Sequence, residues 1–170
     1  MMKKTSITKN KKIKNAKEHN FDGILFRSGL DLYCYKSLKQ ANISAVYEQK
    51  VITLSPAFEY NFDSFEYTGK GDTKSFKIAS KKIQHITCKP DFADINGSII
   101  GEEFIIECKG YANDVFPLKL KLLKKALKDS NFKGTYYLPR NQQEVNKVIE
   151  LIKLKRLQNG RKKTEQPELF

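Results

Sequence analysis

Apolar positions recur in two rhythms along the chain, and each rhythm predicts an element. After Ser28, residues Leu30, Cys34, Ser37, Leu38 and Ala41 fall at helical spacing, and the pattern closes near Asn42-Ile43. Ser28 suits the N-cap because its hydroxyl can accept from an amide that the first turn leaves unpaired. Asp31 then falls in that turn, where the helix dipole favours a carboxylate even without a function. Val46 to Val51 reads as a strand. Farther on, Phe104, Ile106 and Cys108 alternate with residues that include Glu107 and Lys109, predicting a strand buried on one side and charged on the other. Asn96-Gly97 is a strong reversal signal, so Ile86–Ile95 and Glu103–Lys109 are expected to pair as a hairpin.

The remaining segments complete an α/β pattern. Asn113 or Asp114 is expected to cap a helix with Pro117 in its first turn and an apolar side of Leu118, Leu122, Leu123, Ala126 and Leu127. Gly134 to Leu138 reads as a strand. Asn141 followed by Glu144 resembles a capping-box start, and Val145, Val148, Ile149 and Ile152 form the stripe of a final helix ending near Gly160. Between Ser55 and Ser80 lies an insertion in which Tyr67 to Asp72 is a turn between aromatic-rich arms. The expected organisation is a flexible basic arm over 1–20, one domain over 21–160 with the insertion at about 55–80, and a polar tail over 161–170.

Charge narrows the class of partner. The 170 residues carry 32 Lys and Arg against 19 Asp and Glu, a formal charge of +13, which favours polyanions. Lysines at 3, 4, 9, 11, 12, 14 and 17 make the N-terminal arm almost free of acids; Lys11, Lys12 and Lys14 are its candidate DNA contacts, and a solubilising tail or a targeting signal is the alternative. No stretch is apolar enough to span a bilayer and no secretory hydrophobic region is visible, so a cytoplasmic protein is expected. Cys34, Cys88 and Cys108 show no paired ligand spacing and read as reduced thiols in or near the core. His19 and His85 are too few for a histidine-based site. A glycine-rich phosphate loop is not seen, so nucleoside triphosphate hydrolysis has no support.

The candidate chemistry lies in Lys89-Pro90-Asp91-Phe92 and Glu107-Cys108-Lys109. Pairing the two segments would bring two carboxylates and an ammonium to one sheet surface. A hard divalent cation such as Mg2+, with Mn2+ as substitute, takes oxygen ligands and keeps several waters, so Asp91, Glu107 and the backbone carbonyl of Cys108 would suffice with substrate phosphate. Lys109 would orient a water or neutralise charge on phosphorus. A solvated strand face gives the same short string, so on its own the string is a weak signal.

Taken together, Phe26 to Asp31, the helix after it, the strand from Val46, Pro90-Asp91-Phe92, Asn96-Gly97 and Ile106-Glu107-Cys108-Lys109-Gly110 resemble, in order, the phage endonuclease I type of Holliday-junction resolvase. That family belongs to the PD-(D/E)XK nuclease superfamily. The resemblance covers roughly Phe21 to Leu138 and implies a restriction-endonuclease-like core, a mixed sheet flanked by helices. It implies catalytic roles for Asp31, Asp91, Glu107 and Lys109, with Asp91 and Glu107 as metal ligands and Asp31 the helix-borne acid. The family carries glutamate where this chain has Asp31, so Asp31 is expected to reach the metal through water.

The function expected is metal-dependent, structure-selective cleavage of branched DNA by a C2 homodimer, since a four-way junction needs two symmetric cuts. Arg27 and Ser28 beside the helix start and Lys119 on the lysine-rich helix are further candidate DNA contacts, although a solvated helix face explains Lys119 equally well. The alternatives are a nuclease for other nicked, forked or linear DNA, and a non-catalytic DNA-binding or replisome-associated module. The tail ends in Gln166-Pro167-Glu168-Leu169-Phe170, similar to the short peptides that dock on the bacterial sliding clamp, with Gln166, Leu169 and Phe170 as the contacts; a tail folded back on the domain is the alternative.

Overall fold

The computed structural model describes residues 17–68, 75–78, 81–94, 104–110 and 115–164. These form two compact units, one from residues 17–50, 90–94, 104–110 and 133–164, the other from 51–68, 75–78, 81–89 and 115–132. The chain passes between them repeatedly. The first unit begins with β1 (His19–Phe21), β2 (Ile24–Phe26), α1 (Gly29–Gln40) and β3 (Val46–Tyr47). The second then takes β4 (Ile52–Ser55), β5 (Phe58–Glu59), β6 (Phe65–Thr68), β7 (Ser75–Ile78), β8 (Lys82–Ile83) and β9 (Ile86–Cys88). Strands β10 (Phe92–Ala93) and β11 (Phe104–Ile106) return to the first unit, α2 (Phe116–Asp129) belongs to the second, and β12 (Thr135–Tyr137) and α3 (Gln142–Thr164) to the first. The fold is mixed α/β, with three helices and several sheets among the described residues.

The first unit is built on a four-stranded mixed sheet in the order β12-β11-β10-β3. Strand β10 runs antiparallel to both β11 and β3, whereas β11 and β12 are parallel. Phe92 lies opposite Ile106 and Ala93 opposite Ile105, the pairing expected from the sequence; the Asn96-Gly97 turn lies outside the described residues. Two expectations need correction here. Ile86–Cys88 does not belong to this hairpin but pairs with β4 in the second unit. Nor does β11 have a charged face within its span, because Phe104, Ile105 and Ile106 are all buried. An internal strand covered on both sides reads as a continuous apolar run, and the charged alternation begins only after its end.

Helix α1 starts as predicted, with the Ser28 hydroxyl accepting from the Asp31 amide at 3.1 Å. Its Cys34 and Leu38 join Phe26, Phe92, Phe104 and Ile106 in the core, together with Val145, Val148, Ile149 and Ile152 of α3. Helices α1 and α3 pack on each other, and Tyr33 donates to Asn146 Oδ1 at 3.0 Å across that contact. Asn141 caps α3 by accepting from the Glu144 amide at 2.9 Å, while Glu144 reaches back to the Arg140 amide at 2.8 Å. The helix runs through Gly160 to Thr164, four residues past the predicted end. A single interior glycine costs about 1 kcal/mol, and Arg161, Lys162 and Lys163 are strong helix formers.

Strand β3 is shorter than the predicted 46–51, because Glu48 takes a positive φ of 49° that ends the extended backbone. In the second unit β6 and β7 form the arms of the predicted hairpin, with Thr68 opposite Ser75; Tyr67 and Thr68, expected in the turn, belong to β6, and the rest of the turn, 69–72, lies outside the described residues. Helix α2 packs against β4 through a face that buries Leu123 and Leu127. Its N-cap is Val115, without a side-chain hydrogen bond, rather than Asn113 or Asp114, and Leu118 stays exposed. Pro117 in the first turn removes one amide that a cap would otherwise satisfy.

Candidate metal centre

Three segments far apart in sequence supply the acids. Asp31 sits in the first turn of α1 and is only 4% exposed, its place set by the Ser28 cap. Asp91 follows the buried Pro90 and immediately precedes β10; its carbonyl accepts from the Glu48 amide at 2.9 Å, which extends the β10–β3 ladder by one bond. Glu107 and Lys109 follow β11, and their amides donate to the carbonyls of Tyr137 and Pro139 at 3.0 and 2.9 Å. The β11 backbone is therefore held against the β12 side on both flanks of Cys108. The Cys108 amide points the other way and donates to Asp91 Oδ2 at 2.6 Å. One side-chain oxygen of Asp91 thus takes the position a ladder carbonyl would have occupied, which fixes the carboxyl against the end of β11.

Asp31, Asp91 and Cys108 each offer a ligand atom within 4.8 Å of the others, a group able to hold a metal ion. The sulfur is the less suited donor. Its hydrogen bond with the Cys34 thiol, together with burial and the nearby carboxylates, pushes the Cys108 thiol well above its ordinary range, so it stays protonated. All three cysteines are free, with Cys34 and Cys108 buried as the sequence suggested.

The electrostatics single out the carboxyls. Burial, followed by repulsion from Glu107 and Asp31, pushes Asp91 up to about 8, against the lowering effect of the Cys108 amide. Glu107 is raised chiefly by burial, with Asp31 and Glu48 adding to the rise and Lys109 and the Asp91 amide partly offsetting it. Asp31 is raised by burial, although Ser28 and Tyr47 stabilise its charge. One oxygen of Glu107, Oε2, is buried with no hydrogen-bond partner. Carboxyls taken out of water with an acceptor left over are what a cation would relieve, so the group can hold a metal ion.

Two residues that sequence reasoning did not assign to the site belong to it. Tyr47 receives the Arg27 amide at 3.1 Å and donates to Asp31 Oδ2 at 3.3 Å. Its ring lies 4.7 Å from Phe26 and 5.2 Å from Phe92, so the core fixes the hydroxyl's position. Glu48 raises Asp31, Asp91 and Glu107 and forms a 2.7 Å ion pair with Arg27. Arg27, proposed as a DNA contact, is thus paired to an acid of the site while remaining largely exposed. The only sequence signal for either was their place in the strand expected from Val46 to Val51. Lys119 is exposed in α2 of the second unit. Lys11, Lys12, Lys14, Gln166, Leu169 and Phe170 lie outside the described residues. No helix of the described residues is long and apolar enough to cross a membrane.

No protein-family model, curated protein or solved structure matches this chain.

Proposed function

We propose that this protein is a divalent-metal-dependent endonuclease of the PD-(D/E)XK type that cleaves branched DNA as a homodimer. The observation that carries the reading is the approach of Asp31 and Asp91, whose ligand oxygens lie within 4.8 Å of each other, with the half-buried Glu107 near enough to raise Asp91 and Lys109 near enough to lower Glu107. Asp91 and Glu107 would hold the ion, with the carbonyl of Cys108 as a third oxygen, and Asp31 would complete the site through water. Mg2+, or Mn2+ in its place, would supply Lewis acidity to a phosphodiester oxygen and acidify a water.

The protein's own groups prepare that chemistry. The Cys108 amide fixes the Asp91 carboxyl, and the Tyr47 hydroxyl holds Asp31 so that one of its oxygens keeps a set direction. Lys109 is anchored through its backbone at the end of β11, where its ammonium would offset negative charge developing on phosphorus. Net charge of +13 favours a polyanionic substrate over a small ester.

The test is cleavage of labelled four-way junction, Y-fork and linear duplex with Mg2+ or EDTA. Junction cleavage with Mg2+, lost in Asp91→Asn, Glu107→Gln and Lys109→Ala, is the expected result. Equal rates for wild type and all three variants with matched metal would overturn the nuclease reading. Preferential cutting of fork or linear duplex would keep the chemistry and change the substrate.

A further inference from the structure

The second unit carries large aromatic side chains that the carboxylate site does not use. Phe62 is 71% exposed, Phe65 63%, Phe58 51% and Tyr60 39%. Rings of this size ordinarily supply core area, and a cluster left in water marks an interaction surface. In the β5–β8 ribbon Phe58 lies opposite Ile83 and Glu59 opposite Lys82. The Tyr60 amide donates to the Lys81 carbonyl, which carries the register on so that Tyr60 stands across from Lys81. Alternate residues share a face, so Phe58, Tyr60, Ile83 and Lys81 form one side and the Glu59–Lys82 pair the other. Phe62 extends the aromatic side, with its ring 5.6 Å from that of Tyr60 and inclined to it by 62°.

The spacing and chemistry of this face select its occupant. Same-face neighbours of an extended chain such as Phe58 and Tyr60 stand about 6.8 Å apart, from about 3.4 Å per residue, and the rings of Tyr60 and Phe62 are 5.6 Å apart. Both spacings exceed the rise of about 3.4 Å per base along one strand of a stacked duplex. Successive rings can therefore each meet a base only where the bases have come apart. The aromatic faces suit stacking, which is tolerant of base identity, and the Lys81 ammonium, exposed beside Tyr60, suits the phosphates between them. We propose that the β5–β8 ribbon is a binding site for single-stranded nucleic acid, with unpaired bases stacked on Phe58, Tyr60 and Phe62 and the backbone steered by Lys81. Unpaired strands occur where duplexes branch, so the site suits the substrate class proposed above, but its binding does not depend on cleavage.

The experiment is fluorescence anisotropy of the full chain in EDTA, with a labelled oligothymidylate and a blunt duplex of equal length. It compares wild type, Phe58→Ala/Phe62→Ala and Phe58→Leu/Phe62→Leu. Stacking on each ring is worth at least about fivefold in affinity, so the alanine pair is expected to weaken single-strand binding at least about 30-fold. Duplex binding should stay within about twofold. The leucine pair keeps an apolar surface without ring faces and should lose single-strand binding as well. Because it also keeps the side chains large, it separates loss of stacking from loss of folding. Wild-type affinity in the leucine pair would overturn the proposal in favour of a generic apolar patch. Equal losses on single strand and duplex, or no loss, would overturn it too. So would a wild type that sediments as a larger species than the alanine pair without nucleic acid, since a second copy would then cover the face.

Discussion

Replacing Asp91 with asparagine is expected to stabilise the metal-free protein at alkaline pH while abolishing metal-dependent cleavage. The carboxyl titrates near 8 in the folded chain against 3.8 as its ordinary value. An acid with a raised folded pKa binds its proton more tightly when folded, so its favourable contribution is complete below pH 3.8 and is lost progressively as pH rises to about 8. Each pH unit in that window costs about 1.36 kcal/mol. Between pH 5 and pH 8 wild type should therefore lose on the order of 3 to 4 kcal/mol through this group alone. The asparagine carbonyl can still accept from the Cys108 amide, so the local geometry survives while the titration disappears. Glu107 and Asp31 are also raised, chiefly by burial, so their titration is common to wild type and variant and the difference between the two curves isolates Asp91. The assay is urea unfolding followed by circular dichroism in EDTA at pH 5, 6.5 and 8. Stability curves of wild type and Asp91→Asn that run parallel across this range would refute the electrostatic account of the site. Adding millimolar Mg2+ at pH 8 should restore wild type and leave the variant unchanged, since only a folded state that binds the ion gains from it.

Further outcomes follow from the same geometry. Tyr47→Phe leaves the Arg27 amide without its acceptor and removes one of the donors to Asp31, which should cost about 1 to 2 kcal/mol in urea unfolding and shift the acidic limb of the cleavage pH profile upward. Leu38→Ala opens a cavity between α1 and the rest of the core and should lower stability by about 2 to 5 kcal/mol with no change in cleavage at temperatures where it stays folded. Glu107→Gln neutralises the acid whose Oε2 has no partner, so metal affinity measured by calorimetry should collapse while the apo protein keeps or gains thermal stability. Deleting Met1 to Lys17 should flatten the salt dependence of DNA binding, by about 0.9 in log-log slope for each phosphate the arm would have neutralised, and leave turnover at saturating DNA intact.

Much of the local structure was legible in the sequence because it is decided within a few residues. Ser28 with the helical stripe after it placed α1 and put Asp31 in its first turn, and Asn141 with Glu144 placed the start of α3. The pairing that brings Asp91 to the end of β11 was also readable, from two apolar runs around a strong turn signal. Periodicity could not choose among distant partners. Ile86–Cys88 looked continuous with the Asp91 segment, yet it pairs with β4, because a strand's partner is set by packing across the whole unit rather than by its own residues. Burial of Ile105 on the far face of β11 depends in the same way on what covers the sheet. The sequence named the acids Asp31, Asp91 and Glu107, but only the tertiary structure added Tyr47 and Glu48. Their roles come from a positive φ at Glu48, a ring held between Phe26 and Phe92, and the repulsion of charges brought together out of water. None of those forces acts until the chain has folded.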